Sequence, residues 1–317
     1  RWEEAYGAYG RALSLQPGHE EAFAGQEQCL RALPLWQSPA ARRRRGRFAL
    51  DAQRPRASTR VLAVSDLHFE QPGAAEWAKA ISSSSFLEDV LLVAGNVADT
   101  LRTLRFGLSV LRSKFRRVFF VPGNHELWVH PSEKRQFPCS ICKLLAIFDL
   151  CEELSVDFLP AAVAEGVFVV PLLSWHSPAF DERDPRPGKH TFDGLCRWTH
   201  MNEDRVWQFF LQLNHAFIDL PYYGDVVTVS HFLPRRSLPY SRAVPDALKA
   251  IGCVELDEQI RAVRAQVHVY GHSCVRHCAS EDGVTYAQHS LGGPEDHGPR
   301  EPLLCVHDGS RPCAARV

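Results

Sequence analysis

Short apolar runs in this sequence end, one after another, in side chains able to ligate a cation or move a proton. In chain order they are Asp66 and His68 in "SDLH", Asn96 and Asp99 in "GNVAD", and Asn124, His125 and Glu126 in "GNHE". His231 follows in "VSHFLPR", then His272 and Cys274 in "YGHSC". Imidazole, carboxylate, amide and thiolate groups offer metal ligation or general acid–base work. One His near a strand end is usually only a hydrogen-bonded surface group, so "DLH" or "GNH" alone would carry little weight. Five such ends in order are hard to obtain by chance.

The elements that must position them read clearly from Thr59 onward. "RVLAVSD", "DVLLVAGN", "RRVFFVPGNHE", "GVFVVPLLSW", "DVVTVSH" and "AQVHVYGH" are β-branched or aromatic runs closing on polar residues. Helix-like segments over 74–85 and 101–115 separate the first three. Strands alternating with helices predict an α/β layered fold, and such folds carry their sites at strand C-termini.

The ordered set resembles the calcineurin-like metallophosphoesterase superfamily, with its D-x-H, G-D-x-x-D, G-N-H-[DE], lone His and G-H-x-H motifs. The resemblance spans residues 59 to 310 and includes "VTYAQHSLGGPED", similar to the closing strand and turn of some members. It implies an α/β four-layer sandwich of two β-sheets flanked by helices, with two metal ions at the sheet edge, and hydrolysis of a phosphate mono- or diester. Two divalent ions about 3.5–4 Å apart can activate water and neutralise charge on phosphorus. Carried over by position, Asp66, His68 and Cys274 would serve the first ion, and Asn124, His231 and His272 the second. Asn96 takes the bridging position. His125 would act as general acid or phosphate-binding imidazolium, oriented by Asp99, and Glu126 would be structural.

Two positions depart from the pattern: Asn96 replaces the bridging aspartate, and Cys274 the last histidine of G-H-x-H. A thiolate is a competent ligand for Zn²⁺ or Fe²⁺. The second group is left with no anionic ligand, and a neutral amide bridges two cations poorly. The expectation is one or two divalent ions (Mn, Zn or Fe) per chain, the second weakly held. The alternative to an enzyme is a metal-poor pseudo-phosphoesterase acting as an interaction module. A separate zinc cluster in "HSCVRHC" is disfavoured, because its spacings are too close and irregular. The Ser/Thr protein phosphatase branch is disfavoured too, since this chain reads "GNVADTL" and "PGNHELW" rather than G-D-x-x-D-R-G and R-G-N-H-E. Between the third strand end and His231, Trp175, His176, Arg186, Lys189 and His190 are candidates either for a substrate-contacting lid or for a surface loop packed on the sheet.

The chain has 317 residues, 45% apolar and 23% charged, which fits a folded protein. Its formal net charge of −1 gives no sign of a nucleic-acid partner, and no apolar run is long enough to span a membrane. The start at Arg1 reads as that of a fragment. Residues 1–35 resemble part of a tetratricopeptide repeat, through Trp2, Ala5, Tyr9, Ala12, Leu13, Leu15 and Pro17, and imply a protein partner for that segment. Residues 36–58 form a basic Arg/Pro-rich linker, and 59–317 the phosphoesterase domain. Scattered cysteines, 10 in all, read as reduced thiols of an intracellular, cytoplasmic protein. The C-x-x-C at Cys139 and Cys142 opens a helix-like segment and reads as ordinary helix-face cysteines.

Overall fold

The computed structural model describes residues 53–182, 193–199, 201–240, 247–291 and 303–316. The repeat-like segment and most of the basic linker lie outside these. Residues 53–58 are docked on the domain: Arg56 pairs with Asp225, Arg54 with Glu88, and the Arg54 carbonyl accepts from Glu165 N.

The strand and helix order is β1 (Val61–Val64), α1 (Pro72–Ala80), β2 (Val90–Ala94), α2 (Leu101–Arg112), β3 (Arg117–Val121), α3 (Asn124–Leu127) and α4 (Ser140–Leu154). There follow β4 (Ala161–Ala164), β5 (Val167–Pro171), α5 (Val206–Ile218), β6 (Asp225–Val229), α6 (Glu255–Ala262) and β7 (Val267–Val269). The chain closes with β8 (His277–Glu281), β9 (Val284–Gln288), β10 (Leu304–His307) and β11 (Pro312–Arg316). All six expected strands are present. The helix expected over 74–85 stops at Ala80, where Ser84 N and Ser85 N turn to the Ser82 hydroxyl. Serine side chains compete in this way with helix continuation.

Two mixed sheets result, ordered β11-β10-β1-β2-β3 and β4-β5-β6-β7-β9-β8. The strands β1, β2 and β3 are parallel, as are β5, β6 and β7. Period-2 alternation then decides which side chains go where. Val61, Ala63, Val90, Leu92, Phe119 and Val121 meet Val169, Val227, Val229, Val267 and Val269 in an apolar layer shared by the sheets. The alternate residues Leu62, Val64, Leu91, Val93, Val118 and Phe120 pack with residues of α1, α2 and α4. Val226, Tyr270 and Tyr286 pack with Leu256 and Ile260 of α6. Parallel pairing brings the C-terminal ends of five strands, β1, β2, β3, β6 and β7, to carry the chemical side chains.

His268 on β7 is fully buried between the hydroxyls of Thr228 (2.9 Å) and Ser230 (3.0 Å), and burial pushes its pKa down to about 3. Below its unfolded value near 6.5 the unfolded chain takes up a proton and the folded one does not, so stability falls with pH from about 6.5 toward 3. The expected loss from this residue between pH 7 and pH 5 is about 2 kcal/mol. Denaturant melts at both pH values, with His268→Gln beside wild type, check it; the variant's pH slope should be flatter.

Candidate active site

The strand ends leave their sheets through sharply strained turns. Of the eight described non-glycine residues with positive φ, five are Asp66, His68, Asn96, His272 and Cys274. Such backbone is costly and concentrates at functional sites, where the surrounding structure holds it in place. The restraints here are visible. Asp66 N donates to Gly95 O and His68 N to Asn96 O, locking the first turn to the second. The buried Glu126 carboxylate accepts from the backbone N–H groups of Asn96 (2.9 Å), Val97 (2.6 Å), Ala98 (2.9 Å) and Gly123 (2.7 Å). Glu126 therefore braces the second turn against the third.

Four electron-pair donors meet over this brace. His231 is buried and held well below its ordinary pKa by that burial. Its Nδ1–H donates to Ala94 O (2.8 Å), so Nε2 presents a lone pair, and it faces the Oδ1 of Asn124 at 3.2 Å. His272 likewise commits Nε2–H to Ala250 O (2.8 Å), and its Nδ1 is buried with no hydrogen-bond partner among the described residues. The two imidazole rings lie 5.1 Å apart. A Cβ on Gly123 would meet Asn96 Oδ1 at 2.3 Å and His231 Nε2 at 2.7 Å, so only glycine lets these donors approach. Lone pairs facing one another, and an orphaned imidazole nitrogen, are costly unless a cation lies among them. The arrangement fits a divalent metal ion.

Asp66 is fully buried, and burial pushes its pKa up to about 6 against hydrogen bonds from the Ser65 hydroxyl (2.6 Å) and His272 N (3.1 Å). His68, pushed down to about 4 by burial and then by the charge of His125, stands edge-on to His125 with ring centroids 4.7 Å apart. Ligand atoms of His68, Asp99 and His125 lie within 4.8 Å of one another, so His68 sits with the expected acid–base pair. Cys274 is not brought into that triplet; it is exposed, with Sγ 3.8 Å from His272 O.

His125 donates from Nδ1 to Asp99 Oδ1 at 2.7 Å. Burial works against the Asp99 carboxylate, yet the hydrogen bond and charge of His125, with His130 and His68 nearby, hold its pKa below the usual value. The indole of Trp128 lies against His125, centroids 3.7 Å apart. Lys143 of α4 ties the Asp99 carbonyl (2.6 Å) to the Trp128 carbonyl and to Glu133. Cys139 and Cys142 serve that helix's start, Cys139 Sγ accepting from Cys142 N.

The long interval splits in role. Trp175 is buried in the core, packed on Trp198, Phe210 and Phe232, a helix residue and loop residues rather than the sheet face. Arg186, Lys189 and His190 lie outside the described residues. Asp193, a site residue that no sequence motif marks, is buried and accepts from Asn124 Nδ2 (2.9 Å), Trp128 Nε1 (2.9 Å) and His176 Nε2 (3.1 Å). It sits in a turn, not at a strand end, so nothing in its spacing marks it.

The chain belongs to the calcineurin-like phosphoesterase family, whose model matches residues 59–276. Among curated proteins, the [acyl-carrier-protein] phosphodiesterase PptH of Mycobacterium tuberculosis is 26% identical over 269 residues, covering 78% of this chain and 82% of the relative. The crystal structure of the phosphopantetheinyl hydrolase PptH from the same organism superposes with a TM-score of 0.62 at 25% identity, covering 79% of this chain and 96% of that one. The protein is a hydrolase acting on a phosphate ester, in a family that usually binds divalent metals. The interaction-module alternative is not favoured. No helix among the described residues is long and apolar enough to cross a membrane.

Proposed function

We propose that this protein hydrolyses a phosphodiester of the kind that joins a phosphopantetheinyl arm to a hydroxyl of an acyl carrier protein. The observation that carries the reading is the convergence of Asn96, Asn124, His231 and His272 donors beside the His125–Asp99 pair. In this reading Asn124, His231 and His272 would hold one divalent ion, and Asp66 and His68 another. Cys274 would be a third donor to the latter, its exposed Sγ turned toward it. Asn96 would take the bridging position of the family motif. When bound, such ions activate water and stabilise negative charge on phosphorus. Mn²⁺, Zn²⁺ and Fe²⁺ all suit the mix of imidazole, amide, carboxylate and thiol donors.

The protein's own residues do the rest. Asp99 holds Nδ1–H of His125, leaving Nε2 to carry the second proton of an imidazolium. That proton passes to the oxygen leaving phosphorus as the bond to the carrier hydroxyl breaks. The products are a carrier with a free hydroxyl and the arm as a phosphate monoester. Trp128, its ring tilted 32° to that of His125 with centroids 3.7 Å apart, walls one side of the imidazole.

Incubation with a phosphopantetheinylated acyl carrier protein and Mn²⁺, read by intact-protein mass spectrometry, tests the substrate class. The expected result is loss of one phosphopantetheinyl group. An unchanged carrier, with simple diesters still hydrolysed, would remove the carrier from the proposal and leave the chemistry.

A further inference from the structure

The donor group of Asn96, Asn124, His231 and His272 contains no anionic ligand, yet a divalent ion there needs one nearby. The buried carboxylates of Asp66 and Glu126 reach this group through the backbone N–H groups of His272 and Asn96, whereas the buried Asp193 hydrogen-bonds one of its donor side chains, Asn124. The Asp193 side chain is 1% exposed, and both oxygens are engaged, Oδ1 by Asn124 and Trp128 and Oδ2 by His176. Three N–H groups converge on these two oxygens, the acceptor-only pattern that suits an ionised carboxylate.

Its contact with Asn124 also sets the chemistry of that amide. Nδ2–H₂ can donate to Asp193 only if Oδ1 points away, and it points at the lone pair of His231 Nε2. Without the carboxylate, the amide could flip and turn its N–H₂ toward His231, satisfying that nitrogen and closing the donor group to a cation. Trp128, the other donor to the same oxygen, carries the ring that packs on His125. One side chain thus orients both a metal-facing amide and the wall of the acid–base histidine. The segment bearing it is itself pinned, with Val129 N donating to Leu195 O and Ser140 N to Arg197 O.

We propose that Asp193 supplies from behind Asn124 the negative charge that the Asn96 position lacks, and holds Asn124 with its carbonyl oxygen toward the metal. It is a positioning residue, and the inference rests on the metal-site reading given above.

The test is a Mn²⁺ titration of metal-depleted protein, followed by electron paramagnetic resonance, for wild type, Asp193→Asn, Asn96→Asp and the double variant. Partners behind metal ligands commonly contribute 10- to 100-fold to affinity, so Asp193→Asn is expected to weaken one class of Mn²⁺ site by about 10- to 100-fold. The loss should be largely restored in the double variant, which carries the same total charge as wild type, because the charge is then supplied at position 96. The double variant also decides the matter should Asp193→Asn fail to fold. A merely structural Asp193 would show the same loss in both backgrounds, which would overturn the proposal, as would unchanged Mn²⁺ affinity in Asp193→Asn. Failure of the wild type to bind any Mn²⁺ would overturn the metal-site reading along with it.

Discussion

His125→Ala is expected to lower turnover of a phosphodiester by about 100- to 10,000-fold, the usual contribution of a positioned general acid, while metal content stays at the wild-type level. The separation of the two effects follows from geometry. His125 Nδ1 is committed to Asp99 at 2.7 Å, and its ring lies between Trp128 and His68. The convergent donors, by contrast, come from Asn96, Asn124, His231 and His272. His125 touches that group only through its backbone, whose N–H donates to Asn96 Oδ1 at 3.2 Å, and alanine keeps that bond. The effect should fall on kcat for substrates with poor leaving groups and shrink for activated aryl esters, which need little protonation. A parallel loss of metal and activity would instead place a cation in the His68–Asp99–His125 triplet and make His125 a ligand.

Asn96→Asp should act in the opposite direction, raising metal occupancy toward two ions per chain and raising turnover. A unit charge about 4 Å from a cation contributes about 4 kcal/mol at an effective dielectric of 20, so the gain in affinity could approach a thousandfold. The substitution is nearly isosteric, and the turn that carries it is held by Glu126 through backbone N–H groups that do not depend on the side chain. Asp193 tempers the gain, since a second buried carboxylate near the same ions repels the first in the metal-free protein. Metal analysis by inductively coupled plasma mass spectrometry, with and without added Mn²⁺, checks the outcome. An unchanged metal count would mean that the amide was never limiting.

Much of this site is legible in the sequence because strand ends are sharply punctuated. Runs such as "VLLVAGN" switch from buried β-branched residues to a polar turn within two positions, and parallel pairing then gathers those turns at one edge. The structural role given to Glu126 agrees with its four backbone contacts. Other parts carry no such punctuation. Strand β4 reads "AAVA", too poor in β-branched residues to announce itself, and β10 is only four residues long. Asp193 lies in "TFDGL", where an aspartate before glycine looks like any turn, and its partners are 69, 65 and 17 positions away. Only tertiary structure brings it to Asn124. The nitrogen left orphaned on His272 is equally invisible beforehand, since it depends on Nε2 finding the Ala250 carbonyl.

The central claim is that this cluster of strand-end residues hydrolyses phosphate esters with divalent metal ions held in it. The most direct measurement is hydrolysis of bis(p-nitrophenyl) phosphate by the same preparation before chelation, after removal of metal, and after restoration with Mn²⁺, Zn²⁺ or Fe²⁺, with bound metal quantified at each stage. The account predicts activity that disappears with the metal and returns with it in proportion to the ions bound. Hydrolysis that persists in the metal-free protein, or ions that bind without restoring any turnover, would contradict it.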